Sequence, residues 1–439
     1  MLHKPNNEEK RKHLVIYINP PYAEAGSRHN PTHTGESKTG VSVTQQTYKK
    51  YLSQIGLAGR ELFAQFFMRI YQEIPGARLA EFSTLKILQA SNFADFRAVF
   101  KAKLEKMFVV PANTFDNVKG KFPIGFMRWD TSIHEIFSNI DADVYDANGN
   151  YLLQKYIAVE YDFHSINDWI KITRNRPSEE KIGWLSARGC DMQVQAYNFI
   201  CNDTSNIPHP RGTWITTKNI SEIAIYLAVY QSSSASWIND RDQFYYPNDG
   251  WKDDRDFQSD CLAYTLFHGQ NRISSEHGIN HWIPFTEQEL DAPDCFQSHF
   301  MSDFIAGKLQ PTKPQQPVQT ELYDNQESKS GLSGNAGISA PITFTPLAAE
   351  VMEAGRKLWY YYLHHKQNST ELYANDSINV NASFYDIRRY FQGTNPVTGK
   401  MNNDSPDEEY TRLLADLRQK QRLLAKQIEE KVYLYGFLK

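Results

Sequence analysis

Residues 14–22 read LVIYINPPY, and this stretch decides how the first part of the chain folds. Residues 14–18 form a short apolar run rich in β-branched side chains, which Asn19 and two prolines end. Such a run, stopped by residues that cannot continue a ladder, is typical of a buried strand that ends in a tight loop. We therefore expect the tetrapeptide Asn19–Tyr22 at the carboxyl end of a strand.

The segments that follow alternate between helix and strand patterns. Apolar residues recur at spacings of three and four over 57–74, which predicts an amphipathic helix that ends at Pro75 and Gly76. Four further segments continue the alternation: a strand over 77–88, a helix over 93–107, and strands over 108–115 and 122–131. Strands that alternate with helices and finish in a hairpin are typical of the second half of a doubly wound α/β sheet.

The composition changes from about residue 136 onward. A polar turn over 146–150 separates two alternating segments, which predicts a second hairpin. Long polar and aromatic loops then suit a recognition surface, and a segment rich in Pro, Gln, Ser and Gly suits a linker. The predicted parts are a half α/β sheet over 1–135, a mixed α/β recognition domain over 136–306, a linker over 307–340 and a C-terminal helical region over 341–439.

Charge and cysteine content limit the class of protein. The net charge of −4 gives no overall basic field, so contact with nucleic acid requires a local basic groove. The four cysteines show no CxxC pair and are interpreted as reduced thiols. No signal-peptide core and no run of about 20 apolar residues occurs. We therefore expect a cytoplasmic protein that does not enter a membrane.

The Asn-Pro-Pro-Tyr tetrapeptide carries groups suited to the exocyclic amino group of a nucleobase. The amino nitrogens of adenine and cytosine are poor nucleophiles because their lone pairs are delocalised into the ring. The Asn19 side-chain oxygen and the Pro20 carbonyl can accept hydrogen bonds from both N–H groups and favour a tetrahedral nitrogen. Tyr22 offers a ring on which a base rotated out of the duplex can stack. This chemistry requires neither a metal nor a charged base.

The stretch IYINPPY resembles the motif of N6-adenine DNA methyltransferases, which place [DNS]-P-P-[YFW] at the end of the fourth strand of a Rossmann-like sheet. Three later segments resemble the corresponding parts of large bacterial restriction-modification enzymes: VVPANTFDNVKGKFPIGFMRWDT (109–131), FHGQNRISSEHGINHWIPFTE (267–287) and VNASFYDIRRYFQG (380–393). The resemblance implies an α/β fold with a partial Rossmann-like methyltransferase sheet, followed by the recognition domain and the helical region.

The same resemblance implies a substrate, a methyl donor and site residues. The substrate is a flipped adenine in double-stranded DNA, and the methyl donor is S-adenosyl-L-methionine. Catalytic roles fall to Asn19, Pro20, Pro21 and Tyr22, and Tyr22 also binds the base. A second aromatic residue commonly holds the other face of the base, and Phe115 is the candidate. Two alternatives stay open, because Phe115 can be a core residue and a related motif serves cytosine N4.

The donor-binding motif of the family does not appear in this sequence. It is a Gly-rich turn of the F-x-G-x-G type and precedes Asn-Pro-Pro-Tyr in enzymes ordered like this one. Only 18 residues precede Asn19, fewer than the roughly 30 that one βαβ unit needs. Three downstream segments lack the strand–turn–helix context: GLAGRELF (56–63), GNAGIS (334–339) and GTNPVTGK (393–400). The cofactor-binding residues are therefore unknown.

Three interpretations of this absence remain open. The chain is one half of a split enzyme that needs a separate S-adenosylmethionine-binding half, a fragment, or a permuted enzyme with an unrecognised donor site. The first two are favoured, and in both the isolated chain is expected to be inactive. The alternative function is a non-catalytic DNA-recognition subunit or relic of a restriction-modification enzyme.

Other candidate residues receive weaker interpretations. His277 and His281 stand four residues apart, but no HExxH motif surrounds them, so we expect no metal site. The segment 179–181 (Glu-Glu-Lys) resembles part of a nuclease pattern without the apolar strand that normally carries it. The basic residues interpreted as contacts to phosphates or bases are Arg188, Arg272 and Lys308.

Overall fold

The computed structural model describes residues 8–19, 46–115, 118, 120–173, 180–205, 207, 210–309, 340–365 and 378–439. The chain divides into two compact units. The first unit comprises residues 1–163, 191–193 and 235–243, and the second comprises 164–190, 194–234 and 244–439. Helices and strands occur in both, so the predicted α/β class is confirmed. The predicted domain limits at residues 135, 306 and 340 stay predictions.

The first unit is built on a six-stranded mixed sheet. Its strands are β1 (Val15–Ile18), β2 (Arg78–Thr84), β3 (Ala102–Pro111), β4 (Pro123–His134), β5 (Asn139–Tyr145) and β6 (Tyr151–Ala158). Their order in space is β1-β2-β4-β3-β5-β6. The pairs β1–β2 and β3–β5 are parallel, and the other pairs are antiparallel. The parallel pair β1–β2, joined through helices, is the arrangement expected of half of a doubly wound sheet.

Five short helices accompany this sheet: α1 (Glu8–Lys12), α2 (Gln46–Ile55), α3 (Leu62–Glu73), α4 (Lys86–Gln89) and α5 (Ala94–Val99). The helix predicted over 57–74 is thus observed from Leu62, and a 3-10 helix, Gly56–Arg60, precedes it. Apolar side chains of α3 spaced three and four apart, including Phe63, Phe67 and Ile70, are buried in one cluster with side chains of the sheet. This cluster is the main core of the first unit.

The helix predicted over 93–107 is only partly correct. Helix α5 ends at Val99, and β3 begins at Ala102. Strand β3 lies between β4 and β5, with Leu104 paired to Trp129 and Met107 to Met127. Pairing of this strand on both sides outweighs the helix propensity of its Ala, Lys, Leu, Glu and Met residues, because tertiary context routinely overrides propensity.

Both predicted hairpins are confirmed. Strands β3 and β4 pair antiparallel from Pro111 with Pro123, and β5 and β6 pair antiparallel across the polar turn. In that turn the Asp146 carboxylate accepts hydrogen bonds from the backbone N–H groups of Asn148 and Asn150, and Gly149 has a positive φ of 84°. A short polar side chain and a glycine therefore close the turn, as the sequence indicates.

The expectation that β1 is a buried strand is wrong. Val15 and Tyr17 are each 59% exposed, whereas Ile16 and Ile18 pack against the main core. Among the described residues, β1 has β2 as its one strand neighbour and therefore lies at an edge of the sheet. An edge position with one covered face explains why a continuous apolar run alternates between exposed and half-buried side chains.

The second unit combines a small antiparallel sheet with a larger set of helices. The sheet has the order β8-β7-β9. Its strands are β7 (Gly183–Ser186), β8 (Phe199–Cys201) and β9 (Gly212–Ile215). The helices are α6 (Ile166–Ile172), α7 (Ile220–Ser232), α8 (Arg255–Phe267), α9 (Glu287–Leu290), α10 (Phe300–Ile305), α11 (Pro346–Leu363), α12 (Phe384–Gln392) and α13 (Glu408–Leu434).

The long helix α13 organises the helices of this unit. It packs against α7, α8 and α11, and its side chains Leu417, Leu424 and Ile428 are completely buried. The Asp407 carboxylate caps its first turn by accepting a hydrogen bond from the N–H of Tyr410. The apolar seam thus serves packing within the unit, as amphipathic helices normally do.

Candidate functional site

Asn19 directly follows β1 at the edge of the first sheet. Its predecessor Ile18 pairs with Glu81 of β2, and Asn19 itself is exposed. Because β1 and β2 are parallel, their carboxyl ends meet at the same edge, which is where open α/β sheets bind ligands. The residues Pro20, Pro21 and Tyr22 lie outside the described part of the chain.

Phe115 lies near this same edge. Its half-buried ring contacts Phe82 in an edge-to-face arrangement, with 5.0 Å between the ring centres. Phe82 follows Glu81 in β2 and therefore stands one strand away from Asn19. A minor cluster with buried Val110 supports both rings. Phe115 thus packs against other side chains and keeps part of its ring accessible.

Aromatic side chains continue across this face of the sheet. Phe126 of β4 contacts Tyr17, Phe82 and Phe108, with ring centres 6.4, 5.0 and 5.0 Å apart, respectively. Phe108 in turn contacts Tyr145 of β5 at 6.0 Å. We call these five residues the aromatic row. The row provides flat, polarisable surface close to the exposed end of β1.

Glu81 occupies the opposite face of β2. It is completely buried between Ile18 and Met127 on the neighbouring strands. Neither of its carboxyl oxygens makes a hydrogen bond of normal geometry with a described residue. Burial raises the pKa of Glu81 well above its usual value, and the nearby Trp129 N–H acts in the opposite direction without reversing it. The protonated, uncharged acid is therefore favoured in the fold.

The glycine segments of the described chain do not fit a methyl-donor site. Gly56 and Gly59 lie in a 3-10 helix after α2, not after a strand. A Cβ atom at Gly56 would lie 2.0 Å from a carboxyl oxygen of Asp95, and one at Gly59 would lie 2.9 Å from the Leu52 backbone. Close packing within the unit therefore explains both glycines. The segment 393–400 forms a turn, and 334–339 lies outside the described residues.

Two of the three predicted basic residues contact other side chains of the second unit. The Arg272 guanidinium lies 4.0 Å from the centre of the Phe199 ring and donates hydrogen bonds to the Gln270 side chain. Lys308 lies 4.0 Å from the Asp303 carboxylate. The contacts of Arg272 give it a structural role, whereas the Lys308 side chain is 67% exposed and its contact with phosphates or bases stays a prediction.

The predicted histidine and nuclease-like residues do not assemble into a metal site in the described chain. The His281 ring bonds to the Ser298 hydroxyl at 2.9 Å, and half-buried His268 stacks on Tyr264. Burial lowers the pKa of His268 to about 4. Among the described residues no three His, Cys, Asp or Glu side chains are grouped as metal ligands. Glu179 lies outside the described part of the chain. The Lys181 ammonium lies 4.6 Å from the centre of the Trp214 ring.

Arg188 differs from the other two basic candidates because it lines a cavity in the second unit. Trp184 and Trp214 also line this cavity. The sequence analysis did not single out these tryptophans. In the sequence each tryptophan follows a glycine closely, as Gly183-Trp184 and Gly212-Thr213-Trp214. Only the pairing of β7 with β9 shows that the two indoles meet.

Comparisons with known proteins add little. No family model matches the chain, and no curated protein matches it. A solved structure described as the cryoEM structure of a DrdV–DNA complex shares 12% sequence identity over 43% of this chain, with a TM-score of 0.24. The match spans 23% of the DrdV chain, and similarity at this level carries no argument about function. No helix in the described ranges is long and apolar enough to cross a membrane.

Proposed function

We propose that the chain supplies the base-binding and target-recognition portion of a DNA adenine-N6 methyltransferase. The observation that carries the proposal is the position of Asn19 at the carboxyl end of β1, one strand away from Phe82, whose ring contacts Phe115. An amide acceptor at the exposed end of a parallel strand, beside accessible aromatic rings, suits a flat substrate that carries an amino group.

The proposed mechanism assigns a separate task to each residue. The Asn19 side-chain oxygen and the Pro20 carbonyl accept the two N–H groups of the flipped adenine and make its nitrogen more nucleophilic. Pro21 keeps the backbone rigid at this point. Tyr22 stacks on one face of the base, and Phe115 contacts the other face. The chain therefore binds and orients the reacting amino group.

S-adenosyl-L-methionine supplies the methyl group in this proposal. We assign the donor site to a separate half of the enzyme. Among the described residues β2 is the one strand paired with β1, which supports a place on the other side of β1 where that half adds its own strand. Unpaired backbone groups of an edge strand readily accept another strand.

The test expresses the chain together with a methyltransferase half that carries the F-x-G-x-G motif, in a bacterial host without adenine methylation. Single-molecule sequencing of the host genome then reads N6-methyladenine. We expect methylation at a defined sequence only when both halves are present, and none with either half alone. Unmethylated DNA that the assembly nevertheless binds at a defined sequence would instead support the non-catalytic recognition protein.

A further inference from the structure

The strongest unassigned feature of the second unit is a cavity of about 520 Å³ beside the three-stranded sheet. Its size is that of a site for a small molecule or a single nucleotide. Helix α6, strands β7 and β9 and the residues next to these strands form its walls. The side chains that matter below are Lys171, Trp184, Arg188, Arg211 and Trp214.

The aromatic part of the cavity is a pair of tryptophans on neighbouring strands. Trp184 and Trp214 stand directly opposite each other, with ring centres 5.1 Å apart and ring planes at 75°. Leu185 and Ile215, the next residues along each strand, are completely buried on the other face. Strand alternation therefore directs both half-buried indoles away from the core. The Trp184 indole N–H is buried and bonds to no described residue.

The charged part of the cavity is entirely cationic. Lys171, Arg188 and Arg211 line it, and no Asp or Glu is among its described lining residues. Lys171 bonds to the Asp168 carboxylate at 2.7 Å, whereas exposed Arg211 forms no ion pair with any described residue. This concentration of positive charge contrasts with the net charge of −4 for the whole chain. It selects for an anionic ligand.

One glycine and one hydrogen-bonded side chain fix parts of the cavity wall. A Cβ atom at Gly212 would lie 1.8 Å from the Leu185 carbonyl oxygen, so glycine allows β9 to approach β7 closely. The Asn167 amide donates to the Gly189 carbonyl at 2.8 Å and accepts from the Tyr226 hydroxyl at 2.6 Å. Asn167 is therefore a fixed part of the wall, because its side-chain amide is held by two hydrogen bonds.

We propose that this cavity binds a nucleotide, with the base against the Trp184–Trp214 pair and the phosphate at Arg188 and Arg211. A nucleotide joins a flat ring and a phosphate within the span of one cavity, and both of its parts match the lining. Base–indole stacking and arginine–phosphate contacts are the usual means of holding an unpaired nucleotide. The nucleotide belongs either to an unpaired nucleic-acid strand or to a free pool. The proposal does not depend on methyl transfer at Asn19.

The test measures quenching of tryptophan fluorescence in the full chain by four probes. These are adenosine monophosphate, adenosine, inorganic phosphate and a ten-nucleotide single-stranded oligodeoxyadenylate. We expect the monophosphate to bind at least tenfold more tightly than adenosine or phosphate alone. An oligonucleotide that binds at least tenfold more tightly than the monophosphate identifies the strand as the source, and equal or weaker binding identifies the free nucleotide.

Variants locate this binding in the cavity. Arg211→Ala should weaken monophosphate binding at least fivefold, whereas Arg422→Ala, at another exposed arginine of the same unit, should leave it unchanged. Trp214→Ala should weaken binding at least tenfold and Trp214→Phe much less, as read by calorimetry. Equal affinity in the parent and in Arg211→Ala, with circular dichroism unchanged, would overturn the proposal, as would phosphate binding as tightly as the monophosphate.

Discussion

The six-stranded and three-stranded sheets both present aromatic side chains on one face, but the surroundings of these rings differ. In the first sheet the aromatic row packs ring against ring across five strands. In the second sheet Trp184 and Trp214 contact each other beside a cavity. Rings that pack against one another stabilise a sheet face, whereas a ring pair beside a cavity leaves aromatic surface that a ligand can contact.

The charges beside these rings differ in the same way. In the first sheet Arg78 lies 3.3 Å from Asp130, and Arg128 lies 3.0 Å from Glu105. In the cavity of the second sheet Lys171 pairs with Asp168, whereas Arg211 forms no ion pair with any described residue, and no carboxylate is among the described lining residues. Paired charges contribute modestly to stability, whereas clustered cations attract an anion. The site proposed for the first sheet lies at a strand end, and the site proposed for the second lies on a sheet face.

The largest expected effect is on the rate of methyl transfer at the first sheet. In an assembly with a donor-binding half, Asn19→Ala should lower the methyl-transfer rate by roughly 10²- to 10³-fold, as the loss of one transition-state hydrogen bond does. DNA affinity should change little, because the acceptor acts mainly as the nitrogen becomes tetrahedral. Single-turnover kinetics measure both. Asn139→Ala is the matched control. If Asn19→Ala transfers methyl groups at the parental rate, Asn19 has no part in catalysis.

The next effect concerns the backbone of the second sheet. Gly212 has a φ of 155°, and its replacement by alanine also brings Cβ against the Leu185 carbonyl. Gly212→Ala should therefore lower the free energy of unfolding by roughly 2 to 3 kcal/mol, measured by urea unfolding. Gly399→Ala is the control, because Gly399 has a positive φ but nothing within 4 Å. Equal losses in the two variants would show that the close approach of β9 to β7 is not what demands glycine.

The third effect concerns capture of the base at the first sheet. Tyr22→Ala should weaken binding of a duplex that carries an unpaired adenine by about 1 to 3 kcal/mol, the usual range for base–aromatic stacking. Tyr22→Phe keeps the ring and should have a mild effect. Fluorescence of 2-aminopurine at the unpaired position measures the capture. If both variants bind as the parent does, Tyr22 does not stack on the base.

The smallest effect concerns Glu81 under the edge of the first sheet. Burial raises its pKa in the folded state, so its stabilising contribution is complete below pH 4.5 and is lost as the pH rises through the higher folded value. Each pKa unit by which burial raises the folded value lowers the free energy of unfolding by about 1.4 kcal/mol at high pH. Glu81→Gln should therefore be more stable than the parent at pH 8, with a smaller difference at pH 5. Urea unfolding at both values tests this, and a difference independent of pH would contradict it.

Local signals in the sequence predicted several elements correctly. The two hairpins follow from turns of Asp, Asn and Gly flanked by alternating residues, and α3 follows from apolar spacing that ends before Pro75. The segment 93–107 was predicted as one helix, but α5 ends at Val99 and β3 begins three residues later. The local propensity of residues 103–107 favours a helix, and only pairing with strands on both sides makes this segment a strand.

The sequence alone determined that Asn-Pro-Pro-Tyr follows a strand, because an apolar β-branched run and two prolines define that boundary locally. The tertiary structure decided that β1 lies at an edge, that Phe115 reaches Phe82, and that Trp184 meets Trp214. These facts depend on which strands pair and in what register, and a register joins residues that are far apart in the chain. A strand boundary set by a few consecutive residues can therefore be read from the sequence, while a cavity assembled from two strands and a helix requires the fold.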